Sequence, residues 1–153
     1  MPEIEYVEDR MESEELLERL CPPVRNWFKD KFPDFTEPQK VAIPRILNGE
    51  HLLLCSPTGS GKTLTAFLTI IDDLVRRSLD GSLPDAVQCV YISPIKALAN
   101  DIEKNLMGPL GEIKERYLPS RAKEIKVGLR TGDTPQSCLL YTSTSPRDRI
   151  ASR

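Results

Sequence analysis

An α/β fold, a parallel sheet flanked by helices, is what this sequence predicts, on three observations. Short, largely apolar runs recur at residues 52–55, 87–92 and 125–129, the second of them rich in β-formers. Segments with apolar residues at helical spacing lie between them, most clearly 64–77. A glycine-bearing loop, Ser56-Pro57-Thr58-Gly59-Ser60-Gly61-Lys62-Thr63, joins the first run to that segment. Strands connected through helices take right-handed crossovers and pair in parallel, and strands covered on both faces read as apolar runs without alternation.

The elements follow in order. Residues 13–20 are expected to be helical, with Cys21-Pro22-Pro23 breaking the helix. A second helix over 24–31 brings Val24, Trp27 and Phe28 to one side, and Pro33 ends it. Thr36 starts a third, tolerating Pro38 in its first turn, with Val41, Ala42, Ile46 and Leu47 as its stripe and Gly49 as its close. After the loop, Leu64, Phe67, Leu68, Ile71, Leu74 and Val75 define a helix to about residue 77. Gly81 and Pro84 fall in a connecting loop; helices are expected at 97–106 and, within a broken stretch, around 112–117.

At 153 residues with a formal charge of −2, one domain is the natural expectation. The charge is uneven: eight acids against Arg10 and Arg19 fill residues 1–20, leaving the remainder net positive. The acidic extension reads as a solvated arm or helix face and is assigned no chemistry. Bulk charge neither demands nor excludes nucleic acid. Cys21, Cys55, Cys89 and Cys138 form no C-x-x-C pair, and the sole histidine, His51, completes no zinc site, so all four read as reduced thiols. No signal peptide and no run of about eighteen apolar residues is present, so a soluble cytoplasmic protein without a membrane role is expected.

The chemistry sits in the loop. Gly59 and Gly61 let backbone N–H groups turn inward on one anion, where a side chain would obstruct the approach. The following helix adds its unpaired donors and dipole. Lys62 is placed to reach the β/γ-phosphates and the Thr63 hydroxyl to ligate Mg²⁺, which makes Pro57, Thr58, Gly59, Ser60, Gly61, Lys62 and Thr63 the candidate triphosphate site. Ser56 stands where such loops usually open with Gly or Ala; it is still small. Two further segments follow apolar runs in the same way, 93–98 and 130–133, so all three loops should share one rim of the sheet.

The series F-T-E-P-Q, S-P-T-G-S-G-K-T, S-P-I-K-A-L-A-N-D-I and R-T-G-D, in that order, resembles the first RecA-like domain of superfamily 2 helicases of the DEAD/DEAH type. Residues 20–28, with A-I-P-R-I-L-N-G-E later, are similar to the large helicase-related (Lhr-type) branch, and the likeness covers about residues 20–137. The resemblance implies a RecA-like P-loop fold, ATP with Mg²⁺, and single-stranded or partly duplex DNA or RNA as partner. It makes Gln39 a reader of adenine, although Thr36-x-x-Gln39 is equally a capping box. Phe32 and Phe35 are candidates for stacking on the base or for the core. By the same resemblance Ser93, Pro94, Lys96, Thr131, Gly132 and Asp133 would hold one strand by its phosphates, against the plainer reading that Pro94 and Gly132 only end strands.

The departures shape the expectation. A motor of this group needs a D-E-x-H or D-E-A-D segment and a second RecA-like domain; neither is in this sequence, and loss of the acidic-box strand is expected to expose an apolar edge. Residues 138–153 show no helix or strand period, and C-L-L-Y-T-S followed by S-P-R-D resembles a translated transposase sequencing adapter. The organisation expected is an acidic extension at 1–19, a partial first RecA-like domain at 20–137, incomplete on its C-terminal side, and a foreign tail at 138–153. The function expected is the ATP-binding part of an ATP-dependent DNA or RNA helicase, with Lys62 and Thr63 as catalytic residues. The alternative is a nucleotide-dependent nucleic-acid-binding or remodelling module without unwinding, distinguished by whether nucleic acid stimulates ATP turnover.

Overall fold

The computed structural model describes residues 5–92 and 102–128. Among them lie five α-helices: α1 (Ser13–Arg19), α2 (Pro22–Lys31), α3 (Glu37–Leu47), α4 (Lys62–Asp80) and α5 (Gly108–Tyr117). A π-helical turn, Glu103–Met107, leads directly into α5. The helices expected over 13–20, over 24–31 and from Thr36 are present, and the one expected from residue 64 to about 77 runs on to Asp80. Residues 97–101 of the helix expected at 97–106 lie outside the described residues, and from Glu103 its described part is the π-helical turn. Two further differences involve prolines. Pro22 and Pro23 begin α2 instead of only separating it from α1, because a proline in the first turn lacks an N–H that has no helical acceptor anyway. The stretch read as broken after residue 108 is helical, with Pro109 likewise in its first turn.

The helices pack around one cluster that includes Leu16, Val24, Phe28, Ile43, Leu68, Ile71, Val75 and Ile113, all buried. Among the described helices α4 is the longest, and it presents Leu68, Ile71 and Val75, three and four residues apart, to that cluster. It ends at Gly81, whose φ of +78° is the left-handed conformation glycine adopts without steric cost. Phe28 stacks on Phe35 with centroids 4.1 Å apart and planes 13° from parallel, while Trp27 meets Phe32 edge-on at 5.8 Å. Phe35 is thereby consumed in the core.

Two polar clamps fix the helices' relative placement. Asp72 on α4 is fully buried; it accepts the Cys21 N–H at 2.6 Å and the Arg76 Nε–H at 2.6 Å. Burial first, and the nearby Asp72 charge second, push the Cys21 thiol up to about 12. On the other side Glu112 of α5 accepts from Trp27 Nε1 at 2.8 Å and from Lys31 Nζ at 2.9 Å. The Lys31 ammonium, then the indole N–H, hold that carboxyl below its ordinary value.

The expected sheet is the point of difference. Among the described residues none of the three predicted runs, 52–55, 87–92 or 125–128, forms a strand. Apolar composition supplies only the faces of a strand; the strand itself exists through ladder hydrogen bonds with a neighbour. Leu53 is 85 % exposed and Ile92 86 %, so these apolar positions are uncovered. Cys55 and Cys89, expected within covered strands, are exposed as well. Residues 87–92 are nonetheless held on α4, through Gln88 Oε1 accepting from Arg77 Nη1 at 2.6 Å and Tyr91 against Phe67 at 4.7 Å. Among the described residues no helix is long and apolar enough to cross a membrane.

Asp72→Ala should lower stability by about 2–3 kcal/mol, because it strands the buried Cys21 N–H and removes the carboxylate partner of Arg76; thermal unfolding measures it. Thiol labelling near pH 8 should leave Cys21 unmodified while Cys55 reacts, since only a thiolate attacks and burial keeps Cys21 protonated.

Candidate functional site

The loop between residues 56 and 61 takes its shape from two glycines. Gly59 and Gly61 have φ of +80° and +85°, a conformation in which a Cβ crowds the following carbonyl. Gly61 is also the N-cap of α4: its carbonyl accepts the Thr65 N–H at 2.9 Å, the first bond of the helix, and the Thr65 hydroxyl at 2.9 Å. The hydroxyls of Ser56 and Ser60, 2.6 Å apart, close the loop across its base, so the serine standing in place of the usual glycine makes a specific contact. Pro57, Thr58 and Gly59 remain exposed.

Helix α3 holds this loop from the side. The Thr36 hydroxyl donates to the Ser60 carbonyl at 2.8 Å. Gln39, almost wholly buried, accepts the Thr36 N–H on Oε1 at 2.9 Å and donates from Nε2 to the Gly61 carbonyl at 3.4 Å. The capping role of Gln39 is thus observed, and the same side chain also touches the phosphate loop. An amide has two donor hydrogens and two acceptor lone pairs, so these contacts leave capacity on both atoms. Thr36 is the residue of this candidate site that sequence reading placed only as a cap; F-T-E-P-Q carries no signal that its hydroxyl reaches across to Ser60.

Lys62 folds over the loop. Its ammonium donates to the Pro57 carbonyl at 2.7 Å and to the Ser56 carbonyl. Beside it lies a cleft of about 380 Å³ lined in part by Glu50, His51, Leu54, Lys62 and Thr65. His51 is exposed there, as expected of a surface histidine. The residues present fit a polyphosphate: an exposed loop in a left-handed glycine conformation, a helix beginning at Lys62 whose first-turn N–H groups have no helical acceptor, and an ammonium held by weak carbonyl partners. Among the described residues no three His, Cys, Asp or Glu side chains gather to hold a metal ion. Ser93, Pro94, Lys96, Thr131, Gly132 and Asp133 lie outside the described residues.

A Cβ on Gly61 would stand 2.7 Å from Gln39 Nε2, whereas one on Gly59 meets nothing within 4 Å. Gly59→Ala should therefore cost only the backbone strain of about 1–2 kcal/mol, and Gly61→Ala measurably more; paired thermal unfolding curves of the two variants test the difference.

The DEAD/DEAH box helicase family profile matches residues 36–146. The ATP-dependent helicase Lhr-Core of Methanocaldococcus jannaschii is 45 % identical over 139 residues, 90 % of this chain and 16 % of that protein. The protein of the same name from Methanothermobacter thermautotrophicus is 54 % identical over 116 residues, 75 % of this chain and 14 % of its own length. The Mycobacterium smegmatis helicase Lhr, solved bound to ssDNA and AMP-PNP, superposes with a TM-score of 0.69 at 40 % identity, covering 86 % of this chain and 16 % of its own. The chain thus spans 14–16 % of the length of these Lhr relatives. A phosphate loop gripped by the Thr36–Gln39 turn, together with a family match over most of the sequence, places this chain in the DEAD/DEAH box helicase family, among relatives of the Lhr type.

Proposed function

We propose that residues 20–137 form the ATP-binding part of an ATP-dependent nucleic-acid helicase, with residues 1–19 as an extension. The observation that carries this reading is the Gly61 junction, where the phosphate loop, the N-terminus of α4 and the Gln39 amide meet. Thr58, Gly59, Ser60 and Gly61 would cradle the phosphates through backbone N–H groups, Pro57 would fix the entry to the loop without donating, and Lys62 would exchange its loop carbonyls for phosphate oxygens. That exchange is favourable because a carbonyl dipole is a weaker partner for an ammonium than an anion is. Thr63, in the first turn of α4, would offer its hydroxyl to Mg²⁺, which when bound neutralises charge on the β- and γ-phosphates. Gln39 would face the adenine edge with its remaining donor and acceptor.

On the same reading the fold is RecA-like, with the three apolar runs, unpaired in this structure, joining a parallel sheet in a protein of the relatives' length, and Ser93, Pro94, Lys96, Thr131, Gly132 and Asp133 would hold one DNA or RNA strand by its phosphates on the rim beside the nucleotide. Such contacts are sequence-independent and weaken with salt. The solved Lhr relative bound to ssDNA and AMP-PNP supports both ligand classes for that protein. In a protein of the relatives' length, ATP turnover would drive translocation along the strand.

A fluorescent ATP analogue with Mg²⁺ should bind this chain, and Lys62→Ala should weaken that binding at least about tenfold. Grafted in place of the corresponding region of the M. smegmatis helicase, residues 20–137 should support ATP turnover stimulated by ssDNA, which Lys62→Ala lowers by about 100-fold or more. Turnover indifferent to ssDNA contradicts the motor assignment, and unchanged affinity in Lys62→Ala contradicts the nucleotide site.

A further inference from the structure

Helix α3 carries a defect in its hydrogen-bond ladder next to Gln39. Pro44 lies inside the helix and is buried. Four residues before it, the Lys40 carbonyl would ordinarily accept the N–H of residue 44, which proline does not have; the proline ring also presses that carbonyl outward. The Met11 N–H, from the segment preceding α1, donates to the Lys40 carbonyl at 3.1 Å. The donor comes from 29 residues away in sequence, so this is a tertiary contact filling a gap that the helix cannot fill itself.

We propose that residues 10–12 are a positioning strap for the nucleotide site, acting through the Met11 N–H on the Lys40 carbonyl. Lys40 directly follows Gln39, so the path of α3 at this turn sets where the Gln39 amide meets the Gly61 carbonyl and where the Thr36 hydroxyl meets Ser60. The strap has a second tie, Arg10 Nη1 to Glu37 Oε2 at 2.6 Å. Both of those side chains are more than half exposed, so the ion pair adds little and the backbone bond dominates. The Met11 side chain packs, partly buried, against the core and gives the strap its anchor. The acidic extension that composition leaves without chemistry thus includes the donor that the Gln39 helix lacks.

The test is a double-variant cycle on the full chain, read by thermal unfolding and by titration with a fluorescent ATP analogue and Mg²⁺. Met11→Pro removes the N–H and the side chain; Met11→Ala removes only the side chain and is the control. Met11→Pro should bind the analogue about fivefold more weakly than Met11→Ala and melt about 3 °C lower. Pro44→Ala gives α3 its own N–H for Lys40, so in that background the two Met11 variants should agree within about twofold and about 1 °C. A structural role unconnected with the ladder defect does not produce that rescue.

Equal behaviour of Met11→Pro and Met11→Ala with Pro44 in place overturns the strap, and so does a difference that persists in the Pro44→Ala background. If Met11→Pro alone is too unstable to titrate, Met11→Pro combined with Pro44→Ala must recover a folded chain with the affinity of Met11→Ala combined with Pro44→Ala, and failure to do so also overturns it. The affinity arm rests on the nucleotide reading of the loop. A wild-type chain that takes up no analogue refutes that reading separately, and the strap is then decided by the unfolding cycle alone, where the loss of about 3 °C and its rescue support a structural strap and their absence refutes it.

Discussion

The contact on which the rest depends is the one between the first turn of α3 and the last residues of the phosphate loop. Thr36 grips the Ser60 carbonyl and Gln39 the Gly61 carbonyl, so two helices share one loop. Gly61 meets three demands at once: a left-handed backbone, an N-cap carbonyl for α4, and close approach of a buried amide. Any side chain there conflicts with the third demand even if the backbone tolerates the first. The loop is consequently shaped before a ligand arrives, and a binding site shaped in advance spends less free energy on ordering.

The scaffold behind the loop is helical and is fixed by the buried Asp72 and the half-buried Glu112 more than by its fully solvated ion pairs. Asp72 joins α4 to the start of α2, and Glu112 joins α2 to α5. The surface pairs, such as Arg10 with Glu37 and Lys126 with Asp85, sit in solvent where such pairs contribute on the order of 0–1 kcal/mol. Since α4 begins at the phosphate loop and ends at Gly81, whatever holds α4 along its length also holds the loop at its head. On the proposed reading the Lys62 ammonium is the part of the site that moves to meet a phosphate, because it rests on the loop's own carbonyls.

Much of this was legible in the sequence, for identifiable reasons. Helix α4 was, because six apolar positions repeat at the helical period, although its end at Gly81 lies past the last of them, where the sequence reads as loop; the phosphate loop was, because positive φ at Gly59 and Gly61 needs glycine. Thr36-x-x-Gln39 announced a cap, and the cap is there. The apolar runs at 52–55 and 87–92 were legible as apolar runs but not as strands, since pairing is a property of two segments and composition describes one. Non-local contacts were invisible for the same reason: Pro44 signals that a carbonyl will lack a donor, while nothing in the sequence says that Met11 supplies it. Likewise, only the second half of the helix at Gly108–Tyr117 was legible, its start being hidden by Gly108, Pro109 and Gly111, which are tolerated because Pro109 lies in the first turn and the helix packs on α2 through Glu112.

The most direct test of the central claim is the backbone amide spectrum of the chain, recorded with ¹⁵N labelling, on titration with Mg²⁺ and AMP-PNP. The largest shift changes should fall on the amides of residues 58–63, with a smaller change at the Gln39 side-chain amide, and inorganic tripolyphosphate should reproduce most of the loop response. Changes that centre elsewhere while the amides of Gly59, Gly61 and Lys62 stay still would contradict a loop built to receive phosphates.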